Sequence, residues 1–168
     1  FYSDTSRKSL PSNGVYSLYT DIKGDLWVGT DKGLAKYNPI NQDFIRFDSL
    51  DGTRSSFIRV ITEDQDGNLY IAGSNGIFKY NRDKNTWTNL SKAFHMQKEL
   101  SFVRGLYFKD KNTLYVTTEK RGFYKLRLKT FQNELIFFQD SRNNVCMWDA
   151  PVSYTHPHAQ DEFIINLF

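Results

Sequence analysis

The stretch that decides the fold is Val15-Tyr16-Ser17-Leu18-Tyr19-Thr20-Asp21-Ile22-Lys23-Gly24-Asp25-Leu26-Trp27-Val28-Gly29-Thr30-Asp31-Lys32-Gly33-Leu34-Ala35-Lys36-Tyr37-Asn38-Pro39. It holds short apolar runs punctuated by Lys23-Gly24-Asp25 and Asp31-Lys32-Gly33, and it recurs. A second copy starts at Ile58, with Asp66-Gly67-Asn68, Leu69-Tyr70-Ile71-Ala72-Gly73 and Gly76-Ile77-Phe78-Lys79-Tyr80-Asn81. A third starts at Val103, with Lys111-Asn112-Thr113, Leu114-Tyr115-Val116-Thr117-Thr118 and Gly122-Phe123-Tyr124-Lys125-Leu126. Gly24 and Gly67, Gly33 and Gly76, and Phe44 and Trp87 each lie 43 positions apart; Leu69 to Leu114 is 45 and Gly76 to Gly122 is 46. The extra length falls partly around Ser91-Lys92-Ala93-Phe94-His95-Met96, where a short helical turn is expected.

Each unit reads as four short strands. The first carries the matched apolar columns Val15/Ile58/Val103 and Leu18/Ile61/Leu106, with Ser17, Val60 or Gly105 between them, as a crowded inner strand requires. A tight turn through Gly24 or Gly67 follows, where glycine takes positive φ without a Cβ clash. The second strand is Leu26–Thr30, the third Gly33–Tyr37, and the fourth Phe44–Phe47, matched by Trp87–Leu90. Four strands in about 40–45 residues is the size of one β-propeller blade. Helical repeats would show a 3.6-residue period that is absent here.

Composition agrees with an all-β chain. Of the 168 residues 16% are aromatic, yet mean hydropathy is −0.58, a mix suited to half-buried strands and too rich in rings for disorder. Net charge is +3, too mild for a dedicated nucleic-acid binder, so no nucleic acid is expected to contact this segment. One cysteine, Cys146, excludes an internal disulfide and a multi-cysteine metal site. No apolar run is long enough for a membrane helix, and Phe1-Tyr2-Ser3-Asp4 does not open a signal peptide.

The fold class is therefore all-β, a β-propeller fragment of about three four-stranded blades in an incomplete ring. Residues 1–14 are the end of a preceding blade (Phe1-Tyr2) and a linker through Leu10-Pro11-Ser12-Asn13. Blades occupy 15–57, 58–102 and 103–140. Residues 141–168 start a further blade at Asn144-Val145-Cys146-Met147-Trp148 or form an anomalous tail from Ala150. Propellers close with about 4–8 blades, so the end blades should leave apolar faces wet, at roughly 1.5–3 kcal/mol per large side chain.

The blade signature resembles the two-component regulator propeller repeat. Val15 to Pro39 fits almost throughout, and Leu10-Pro11-Ser12-Asn13 is similar to that family's inter-blade connection. The second blade departs at Tyr70 and Ala72-Gly73, the third at Thr117-Thr118 and before Gly122. The resemblance implies a periplasmic sensor region of a hybrid two-component system of the Bacteroidetes type. In such proteins two propellers and a β-sandwich precede a membrane helix, a histidine kinase, a receiver and a DNA-binding domain. It further implies an oligosaccharide ligand, a homodimer in the parent protein, the remaining blades as partners, and attachment to the membrane through the parent chain only.

No residue of this segment is expected to be catalytic or to hold a metal or cofactor, and the ligand-binding residues are left unknown. Asp64-Gln65-Asp66-Gly67-Asn68 begins like a calcium loop but lacks the later acidic ligands, and the same slot is filled by Asp21-Ile22-Lys23-Gly24-Asp25; a hairpin turn is the simpler reading. Trp27, Tyr70 and Tyr115 share a column that suits stacking on sugars, or more simply an inter-blade packing layer. His156-Pro157-His158 near Asp161 and Glu162 gathers no further ligands, and His95 reads as a loop histidine. Cys146 reads as an inert thiol, and Lys120-Arg121, Lys125 and Arg127 as solvated positions. No phosphate loop or Gly-x-Ser-x-Gly elbow occurs. A propeller lyase or hydrolase would need repeated His or acidic residues on the inner strands, which are missing; a secreted protein-interaction propeller is the third alternative.

Overall fold

The computed structural model describes residues 8–137. Phe1-Tyr2, Asn144–Trp148, Cys146, the tail from Ala150 and the His156/His158 pair lie outside the described residues. Three four-stranded antiparallel meanders follow one another, one per sequence repeat. The first holds β1 (Val15–Thr20), β2 (Leu26–Thr30), β3 (Gly33–Asn38) and β4 (Asp43–Phe47). A two-stranded hairpin, β5 (Ser49–Leu50) and β6 (Thr53–Arg54), leads to the second: β7 (Ile58–Glu63), β8 (Leu69–Gly73), β9 (Gly76–Asn81) and β10 (Thr86–Asn89). One helical turn, α1 (Leu90–Ala93), precedes the third: β11 (Val103–Asp110), β12 (Thr113–Thr118), β13 (Phe123–Arg127) and β14 (Gln132–Phe137). The ring is open. Among the described residues no helix is long and apolar enough to cross a membrane.

The first strands lie side by side, β1 beside β7 and β7 beside β11. Because side chains alternate across a strand, each sheet has two faces and packs a neighbour on each. One buried cluster joins the first two blades: Trp27, Leu34 and Leu50 against Ile58, Ile61, Leu69, Ile71 and Phe78. Another joins the second and third: Tyr70, Ala72 and Ile77 against Val103, Leu114, Val116, Tyr124 and Leu126. The outer face of the first blade is part-covered by its own linker, Leu10 packing with Val28, Ala35 and Phe44. Beyond that both end faces are wet, as the incomplete ring requires. Val15 and Leu18 are exposed at the leading end, and Tyr107, Leu135 and Phe137 at the trailing end.

The inner strands are crowded, and the register shows how the crowding is resolved. Ser17 opposes Gly29, Val60 opposes Ala72, and Gly105 opposes Thr117. In every blade at least one of the two is glycine or alanine. A Cβ on Gly29 would lie 2.2 Å from Ser17 Oγ and 2.8 Å from the Ile58 carbonyl oxygen of the next blade.

Two features differ from the sequence reading. The fourth strand of the second blade ends at Asn89 rather than Leu90, because the Asn89 side chain accepts the Lys92 N–H at 3.0 Å and starts α1. That turn occupies the expected Ser91–Met96 region and drives Leu90, Phe94 and Met96 into the second core. The β5–β6 hairpin lies outside the four strands expected of each repeat, although Asp51-Gly52, both at positive φ (49° and 68°), is a strong two-residue hairpin signal.

Candidate functional site

Two constellations deserve description, one at each end of the inner strands. The first sits at the turn between a blade's first and second strands. Asp21 caps its own turn by accepting the N–H groups of Lys23 (2.9 Å) and Asp25 (3.0 Å), with Gly24 at φ 82°. Its other oxygen accepts Trp27 Nε1–H at 2.6 Å and lies 2.7 Å from the Arg82 guanidinium of the next blade. Arg82 also meets Glu63 at 3.4 Å and donates to the Gly67 carbonyl, while Glu63 accepts the Ile22 N–H at 3.1 Å. The group is a latch between blades, its charges buried and compensated. Burial opposes ionisation of Asp21, but the bonds from Trp27 and Arg82 outweigh it and hold its carboxyl below the usual range.

The second blade repeats the plan with other atoms. Asp64 accepts the N–H groups of Asp66 (3.0 Å) and Asn68 (2.9 Å), the Tyr70 hydroxyl (3.2 Å) and the Lys79 ammonium (3.3 Å). Against the cost of burial, the bonds from Asn68 and the charge of Lys79 lower its pKa. Burial, reinforced by Asp64, raises that of Tyr70. The Asp64–Asn68 segment is thus a hydrogen-bonded hairpin turn, its carboxylate engaged by donors. In the third blade Asp110 caps in the same way through Asn112 (2.7 Å) and Thr113 (2.9 Å).

The aromatic column divides between packing and open surface. Trp27 and Tyr70 are buried in the two inter-blade cores; Tyr115 is half-buried on the trailing face, stacked with Tyr107. His95 is exposed beyond α1. Lys120 and Arg121 are exposed on the β12–β13 connection, Arg127 is exposed on β13, and Lys125 pairs with Glu134 at 3.4 Å.

The second constellation lies where each first strand begins. The register slips at one place in all three blades, between Val15 and Ser17, Ile58 and Val60, and Val103 and Gly105. Tyr16, Arg59 and Arg104 are left without cross-strand partners. Around them runs a belt of backbone bonds: Asp31 N–H to the Gly14 carbonyl (3.0 Å), Phe57 to Asp31 (3.1 Å), Ser74 to Phe57 (3.1 Å), Phe102 to Ser74 (3.4 Å) and Glu119 to Phe102 (3.0 Å). Tyr16 and Phe57 rings lie 4.4 Å apart, and the Arg59 guanidinium sits 4.2 Å from the Phe57 centroid. Asp31 Oδ1, beside Gly14, is buried without a hydrogen-bond donor. Sequence reading missed this row because a one-residue slip leaves no trace in a single repeat; the column Tyr16/Arg59/Arg104 was its available signal.

A family model described as "Two component regulator propeller" matches residues 9–32, the linker and first hairpin of the first blade. Residues 9–32 are similar to a two-component regulator propeller repeat. Histidine kinase P4 of Formosa agariphila is 34% identical over 79 residues, which is 43% of this chain and 6% of that protein. The chain therefore spans a small fraction of the curated relative it matches. Among solved structures, the extracellular domain of a putative hybrid two component system of B. thetaiotaomicron superposes with TM-score 0.68 at 22% identity, over 82% of this chain and 20% of that one. The extracellular domain of a second such system from the same organism gives TM-score 0.69 at 18% identity, over 86% and 20%. At these identities the regulator-propeller likeness is one of fold.

Proposed function

We propose that this chain is part of the extracytoplasmic sensor propeller of a hybrid two-component system, and that it binds ligand without transforming it. The observation that carries the reading is the regulator-propeller repeat of residues 9–32 in an open run of blades with wet end faces. The blades comprise 15–57, 58–102 and 103–140, flanked by 1–14 and 141–168, and the remaining blades of the parent polypeptide cover the two ends. The parent lies in the inner membrane with these blades in the periplasm, acts as a homodimer, and carries its histidine kinase elsewhere. The ligand is an oligosaccharide. It signals by binding one arrangement of the sensor domains more tightly than the other, since a ligand shifts an equilibrium only by its differential affinity.

Reading the gene on both sides of these codons tests this directly. Further blades, a membrane helix and a kinase downstream are the expected result. A closed ring followed by a stop codon would overturn it.

A further inference from the structure

The repeated slip at the start of each first strand singles out one position per blade. A bulge removes a residue from the ladder and re-aims its side chain. Here the three such residues are Tyr16, Arg59 and Arg104, each two positions after a residue of the backbone belt, Gly14, Phe57 and Phe102 in turn. Two of the three are arginine. Arg59 makes no ion pair among the described residues; its guanidinium is held over Phe57 at 4.2 Å and near Tyr16 at 5.7 Å. Arg104 is tied at 2.8 Å to Glu119, a pair with both side chains over a third exposed. Phe102 and Tyr16 each leave more than half their surface in water.

A guanidinium parked on a ring keeps its N–H edge for an incoming acceptor, and its planar fork matches a carboxylate or sulfate. Exposed rings beside it offer apolar faces to the C–H side of a sugar. The belt fixes the backbone at Phe57 and Phe102 in advance, so little ordering remains to oppose binding. We propose that this row binds an anionic oligosaccharide, its carboxylate or sulfate taken by Arg59 and Arg104 and its rings by Tyr16 and Phe102. The proposal rests on the oligosaccharide reading above and narrows it to acidic sugars.

Calorimetry on the intact extracytoplasmic polypeptide carrying these blades tests it, with tetragalacturonate, a chondroitin sulfate tetrasaccharide, xylotetraose and mannotetraose as probes. At least one acidic probe should bind tenfold or more tightly than either neutral one. Arg59→Ala should weaken it about tenfold while the polypeptide stays folded, and Arg59→Lys by less. The carboxylate and sulfate probes tell which anion is preferred. Should Arg59→Ala fail to fold, the exposed substitutions Arg104→Ala and Phe102→Ala carry the same test. Binding of a neutral probe that is indifferent to all of these variants would overturn the anionic site and leave oligosaccharide sensing standing. No binding by any of the four would remove both.

Discussion

Replacing Trp27 by phenylalanine isolates one bond in the latch between the first two blades. The indole N–H donates to Asp21 at 2.6 Å, and a hydrogen bond to a charged partner contributes about 1.5–3 kcal/mol. Asp21 is not stranded by the change. It keeps Arg82 at 2.7 Å and the N–H groups of Lys23 and Asp25, and a phenyl ring still fills most of the space beside Phe47 and Tyr80. Trp27→Phe should therefore cost about 2 kcal/mol, and Trp27→Ala, which also opens a cavity, about 3–5 kcal/mol. In urea, with a slope near 2 kcal/mol/M, the first change moves the unfolding midpoint down by about 1 M. Circular dichroism is the readout, because the substitution removes a fluorophore. Repeating Trp27→Phe in the Asp21→Asn background should halve its cost, since the acceptor is then neutral. An equal cost in both backgrounds would refute the assignment of that energy to the indole–carboxylate bond.

Other expectations follow from the same packing and charges. Gly29→Ala should destabilise by about 1–3 kcal/mol, because its methyl meets Ser17 Oγ and Ile58; Ser17→Gly should recover part of that in the double variant by removing the 2.2 Å contact, as Gly105 opposite Thr117 already does in the third blade. Asp21 and Asp64 have lowered pKa values in the folded chain, so their contribution is complete above about pH 4 and is lost as pH falls through the lowered values. Acid unfolding followed by circular dichroism should show this, and Asp21→Asn should flatten it. Tyr70 is raised, so its contribution holds below about pH 10 and fades above; Tyr70→Phe should blunt the alkaline loss. Leu18→Lys with Tyr107→Lys should lower self-association of the isolated blades in light scattering, both side chains being exposed on open end faces.

How much of this was legible depended on whether a feature repeats in sequence or only in space. The four strands of each blade follow from local alternation and from glycines at fixed spacing, and the structure keeps them nearly to the residue. The columns Val15/Ile58/Val103 and Leu18/Ile61/Leu106 announced the inner strands, and the small residues between them announced crowding. Their partners Gly29, Ala72 and Thr117 could not be assigned without register. Arg82 was invisible as a functional group, since it joins Asp21 and Glu63 from another blade and nothing in its own neighbourhood marks it. The Asp51-Gly52 hairpin carries its own local signal but lies in the connection between repeats, outside the repeated columns. The bulge row needed coordinates: only pairing shows that Tyr16, Arg59 and Arg104 have left the ladder.

The belt of peptide bonds around the inner strands has a direction. From Glu119 back through Phe102, Ser74, Phe57 and Asp31 to Gly14, every N–H donates to the carbonyl of the residue before it in the series, so the bonds all run one way around the belt. The two ends of such a series differ chemically. At the leading end the Gly14 N–H is already served by Ser12 Oγ at 3.2 Å, whereas at the trailing end no described residue donates to the Glu119 carbonyl. A bond continuing the belt at the trailing face would be accepted by the Glu119 carbonyl, whereas one at the leading face would be donated by the Gly14 N–H in exchange for Ser12 Oγ.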